Sequence, residues 1–96
     1  MKANLTVGLK DLTGKDVIDD KGEKFLLNKF LANQIISQKA EDNAMQYYEL
    51  AIKLYAAKDE IEIAESEKEI IKKVCKTSGM TVLISAQILL IINNAK

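Results

Sequence analysis

The chain has 96 residues, is 48% hydrophobic and 29% charged, and balances 14 basic residues, all of them Lys, against 14 acids, for a formal net charge of zero. Neutrality removes the phosphate attraction that drives non-specific nucleic-acid binding, and the lack of Arg removes the bidentate fork that reads guanine, so nucleic acid is disfavoured as a partner. Histidine is absent and Cys75 stands alone, which excludes a His general base, a Cys–His pair, an internal disulfide and a Cys-rich zinc site.

Length and composition fit one globular domain over residues 1–96. After Met1-Lys2-Ala3-Asn4 the pattern goes straight into a foldable segment with no signal-peptide apolar region, so the expectation is a cytoplasmic protein.

In chain order, Leu5, Val7 and Leu9 alternate with Thr6 and Gly8, the period of a half-buried strand. Asp11-Leu12-Thr13-Gly14-Lys15 is a turn signal, and Asp16-Val17-Ile18 resumes extended structure. The pattern predicts a β-hairpin over residues 3–18, which needs helices to cover its apolar face. Gly8 marks a bulge or a close backbone approach.

A first helix is predicted over about 23–38, with Leu27, Phe30, Leu31 and Ile35 recurring every three or four residues. The second, about 42–58, takes Asp42 as its N-cap. Its apolar side spans roughly 220°, leaving only Gln46, Glu49 and Lys53 as a firmly polar strip, so it is expected to be covered on more than one side.

Asp59-Glu60-Ile61-Glu62-Ile63 alternates like a short extended segment. A third helix follows over about 65–77, with Ile70, Ile71, Val74 and Cys75 inward, acids early and lysines late. Glu67 is placed for a capping box, but Ala64 at the cap position can supply only half of it. Gly79 suits the turn that ends this helix, and Thr81 caps the last one, about 82–93, where frequent β-branched residues leave a strand as the alternative.

That last helix, interrupted only by Ser85 and Gln87, is too short to cross a membrane and is expected to be the central, buried element. No internal repeat or linker stands out. The architecture implied is α+β and mostly α: an N-terminal β-hairpin packed on a bundle of about four helices.

The acidic stretch Asp59 to Glu69 reads as a solvated helix N-terminus, since it lacks the glycine and spacing of a calcium loop. Cys75 shares its helical face with Ile71 and Val74 and reads as a small core residue. The Lys68–Lys76 edge could touch phosphate, but interleaved acids and the lack of an aromatic platform favour a dipole-complementing surface. No catalytic, metal-binding or cofactor-binding residue emerges. The candidates that remain are for an interface: Tyr47, Tyr48 and Tyr55 on the second helix, and Leu83, Gln87 and Leu90 on the fourth.

Several segments have a familiar pattern. Leu9-Lys10-Asp11-Leu12-Thr13-Gly14-Lys15, Asn43-Ala44-Met45-Gln46-Tyr47-Tyr48, Ala51-Ile52-Lys53-Leu54-Tyr55, Met80-Thr81-Val82-Leu83 and Ala86-Gln87-Ile88-Leu89 together resemble small proteins of tailed phages and prophages. The resemblance spans nearly the whole chain and rests on structural segments. It implies a phage origin and a site inside the bacterial host cell, and no reaction. The expectation is a non-enzymatic protein–protein interaction protein, self-associating through the second and fourth helices, with a nucleic-acid accessory role along Lys68–Lys76 as the alternative.

Overall fold

A computed structural model describes residues 1–39 and 43–95. Among them are a two-stranded antiparallel pair, β1 (Lys2–Ala3) with β2 (Ile61–Glu62), and four helices: α1 (Leu27–Ile36), α2 (Ala44–Ala56), α3 (Glu65–Thr77) and α4 (Val82–Asn93). The class is α+β and mostly α, with a small β part at the N-terminus beside the helices. The Asp42 cap lies outside the described residues; Asn43 occupies the N-cap of α2.

The N-terminal β structure is built differently from a single hairpin. Residues 9–17 do fold back on one another: the Val17 N–H donates to the Leu9 carbonyl at 2.8 Å and the Asp11 N–H to the Lys15 carbonyl at 2.9 Å. The Asp11 carboxylate accepts from the Thr13 and Lys15 amides at 2.9 and 3.1 Å, and Gly14 closes the loop at φ +88°. A second loop then repeats the first. The Asp19 carboxylate accepts from the Lys21 and Glu23 amides at 2.9 and 3.0 Å, and Gly22 takes φ +80°. Only a residue without Cβ adopts that backbone at little cost, which sets both glycines.

The two loops come from a tandem repeat of eight residues, Leu9-Lys10-Asp11-Leu12-Thr13-Gly14-Lys15-Asp16 and Val17-Ile18-Asp19-Asp20-Lys21-Gly22-Glu23-Lys24. This corrects the expectation of a chain without internal repeats; the signal is the recurrence of Asp and Gly at fixed offsets rather than overall identity. Three bonds close the motif into a ring: Val17 N–H to Leu9 C=O, Phe25 N–H to Val17 C=O at 3.0 Å, and Leu9 N–H to Phe25 C=O at 2.7 Å. Asp16 ties the loops together by pairing with both Lys10 and Lys24. Its carboxyl is held below the usual range, first by the hydrogen bond from Lys10. A Cβ on Gly8 would stand 3.1 Å from Asp16 Oδ1, so the strand passes closely here, as its glycine suggested.

The ring explains why α1 starts at Leu27 rather than near residue 23. Glu23 and Phe25 commit their backbone to the second loop and the ring, and Leu26 remains extended at φ −87°, ψ 128°. The first N–H groups of a helix have no partner within it. Here the Leu27 and Asn28 amides donate to the carbonyls of Val7 and Leu5, both at 2.9 Å, so the segment after β1 caps the helix with its own backbone.

The buried cluster draws Leu5 and Leu9 from the segment after β1, Leu27, Leu31 and Ile35 from α1, and Leu50 and Leu54 from α2. Ile63, Ile71, Val74, Ile88 and Ile92 complete it. Among them sits Asn28, 1% exposed, whose Nδ2 donates to the Leu54 carbonyl at 2.9 Å near the C-terminal end of α2. The Glu67 carboxylate accepts from the Ala64 amide at 2.8 Å and from Lys53 Nζ at 2.9 Å, joining the start of α3 to α2. Ala64 has no side-chain oxygen to answer, so the half box is what forms.

The fourth helix is not the centre of the domain. Its Thr81 cap is present, with the hydroxyl oxygen accepting from the Ile84 amide at 3.4 Å, but only Ile88 and Ile92 are fully buried. Val82, Ala86 and Leu90, spaced four residues apart, face outward. Packing is centred instead on the α1–α2 pair, whose apolar stripes interlock.

Gln87 turns α4 toward the ring. Its Oε1 accepts from the Lys10 amide at 2.9 Å and its Nε2 donates to the Lys10 carbonyl, imitating a strand partner. Gln87→Ala is expected to lose about 1–2 kcal/mol from two net hydrogen bonds. The loss should be local. Hydrogen exchange should speed up at the Lys10 amide far more than at amides of α1, and uniform acceleration would show that Gln87 does not anchor this contact.

Candidate functional site

An α2 this apolar has more hydrophobic positions than one neighbour can cover. Tyr47, Leu50, Ala51 and Leu54 point into the core against α1. The next positions round the helix, Met45, Tyr48, Ile52 and Tyr55, remain 67%, 50%, 49% and 53% exposed. Their 3-4-3 spacing places them in one straight stripe. Coverage on one side only replaces the expectation of a helix enclosed on several sides.

Ile36, at the C-terminal end of α1 and 55% exposed, lies beside this stripe. It separates two shallow concavities. One, of ≈ 420 Å³, is lined by Ile35, Ile36, Met45 and Tyr48; the other, of ≈ 230 Å³, by Ala32, Ile36, Ile52 and Tyr55. The Lys29 ammonium sits 5.5 Å from the centroid of the Tyr55 ring, a cation–π contact at one end of the stripe.

The six interface candidates separate under this geometry. Tyr48 and Tyr55 lie on the stripe, whereas their neighbour Tyr47 is 7% exposed and belongs to the core, a correction to its expected surface role. On α4, Leu90 is exposed, Leu83 is half-buried against the core, and Gln87 is engaged with Lys10. The residues missed as candidates are Ile36, Met45 and Ile52. The spacing of Met45 and Ile52 with Tyr48 and Tyr55 was legible in the sequence, but Ile36 joins them only through the α1–α2 packing. Since α2 packs on α1 and α4 on α3, the outward stripes belong to different helix pairs.

The remaining chemistry is sparse. Cys75 is buried and desolvation pushes its thiol pKa up, which disfavours the reactive thiolate. Among the described residues no group of His, Cys, Asp and Glu is arranged to hold a metal ion, and no helix is long and apolar enough to cross a membrane. On the Lys68–Lys76 edge, Lys68 and Lys72 are half-buried and Lys73 and Lys76 exposed, with Glu65 and Glu69 exposed on the same helix. No family model, no curated protein and no solved structure matches the chain.

Proposed function

We propose that this is a non-enzymatic protein–protein interaction protein of phage or prophage origin, acting in the host cytoplasm and associating with itself through apolar helix faces. The observation carrying the reading is the uninterrupted stripe of Met45, Tyr48, Ile52 and Tyr55 with Ile36 alongside. Scattered apolar residues on a surface need no explanation, but contiguous patches of several hundred Å² mark contacts. The outward line of α4, with Val82 and Leu90, is the second face. The phage origin rests on the segment resemblance alone. The nucleic-acid alternative has weaker support, because half the lysines of its edge are partly buried and acids share the helix.

Ile52→Lys places a charge in the middle of the stripe without touching the core. Sedimentation equilibrium is expected to show concentration-dependent association of the unaltered chain. The variant should weaken it at least tenfold, a difference of about 1.4 kcal/mol, with an unchanged circular dichroism spectrum. A strict monomer at high concentration would remove self-association from the proposal.

A further inference from the structure

We infer that the α2 stripe takes a second copy of the same chain, antiparallel, about a two-fold axis passing between Tyr48 and Ile52. This rests on the self-association proposed above and adds which face is used and in which orientation.

The first argument is symmetry. A two-fold contact uses the same patch on both molecules, so the patch must fit itself. The positions 45, 48, 52 and 55 read the same in either direction about their midpoint. Reversal sets Met45 against Tyr55 of the second copy and Tyr48 against Ile52. The first pairing is a thioether on an aromatic ring and the second an aromatic ring on a β-branched side chain, both favourable.

Area is the second argument. About half of each of five large side chains, Ile36 included, is uncovered, which amounts to roughly 100 Å² apiece for residues of this size. A pair of copies therefore covers on the order of 1,000 Å², the lower bound for a specific interface. The patch is large enough for a weak dimer and too small for an obligate one.

Charge decides the orientation. In a parallel pair the two Lys29 ammoniums, each held at Tyr55, would gather at the same end. In the antiparallel pair they lie at opposite ends, and the two helix dipoles oppose.

The test uses two single-cysteine proteins, Met45→Cys and Tyr55→Cys, each carrying Cys75→Ala so that no other thiol is present. Both positions are exposed, and circular dichroism checks that each protein is folded. After oxidation, the mixture is expected to give the 45–55 disulfide between copies, identified by mass spectrometry, while each protein alone gives at least tenfold less cross-link. Homodisulfides at both positions would mean a parallel pair and overturn the inference. So would a dimer in sedimentation without any cross-link, which would place the contact on another face, such as that of Leu90, and leave self-association standing. A monomer in sedimentation ends both. As an independent arm, Tyr48→Lys should abolish the dimer with an unchanged circular dichroism spectrum; a dimer that survives the substitution would place the contact on another face and overturn the inference.

Discussion

Asn28→Asp is expected to destabilise the fold by roughly 3–5 kcal/mol at neutral pH, the range for an uncompensated buried charge. Asn28 is enclosed at the α1–α2 contact, donates Nδ2 to the Leu54 carbonyl, and its Oδ1 has no protein partner. An ionised Asp would replace the donor with an oxygen facing that carbonyl, adding repulsion to desolvation. A protonated Asp could still donate, so the loss must depend on pH.

Burial raises the folded-state pKa of the new carboxyl above its unfolded value near ~3.9. Between those values the folded state holds the extra proton, and stability falls as pH rises. The penalty is therefore absent below the unfolded value and complete above the folded one. The native carboxyls run the other way. The pKa values of Asp11, Asp16 and Glu62 are lowered, chiefly by hydrogen bonds from the Thr13 hydroxyl, the Lys10 ammonium and the chain's own amino terminus respectively. Their contributions are present above the ordinary carboxylate range and are lost as pH falls through the lowered values. Urea unfolding of both proteins across pH 4–8 isolates the Asn28 effect in their difference. A variant as stable as the parent at pH 7 would mean that residue 28 turns out to water.

Ile88→Ala is expected to cost about 2–5 kcal/mol, the range for removing a large aliphatic side chain from a packed site. Two residues along the same helix, Leu90→Ala should change monomer stability by no more than ~0.5 kcal/mol, as surface substitutions do. The contrast follows from 0% exposure at Ile88 against 60% at Leu90. Urea midpoints at unchanged slope would measure both. Equal losses would mean that α4 is enclosed on all sides, as composition alone had suggested.

That disagreement shows what local pattern can and cannot convey. The limits of α3 and α4 follow from signals within one helical turn: Glu67 reaching back to Ala64, Thr81 before the last apolar run, and Gly79 at φ +76° after α3. The start of α1 is set by a partner far away in sequence. Phe25 and Leu26 continue the helical period, yet Phe25 is held by Val17 and Leu9. Extended structure was legible at Ile61 and Ile63, but nothing near them names Lys2 and Ala3 as the strand they meet. On α2 every position outside the strip of Gln46, Glu49 and Lys53 was apolar enough to be core. Which of Tyr47 and Tyr48 faced inward waited on the placement of α1, because a 220° face does not choose its own centre.

The ring at Leu9, Val17 and Phe25 bears on how the protein avoids the fate of other small β structures. A strand with idle amides and carbonyls along its edge is a template on which another chain can add itself, the first step toward aggregation. At these three residues every amide and every carbonyl is spent inside the ring. The two loops then turn away on charged and glycine-containing residues. At the ring there is no open edge for another chain to lengthen.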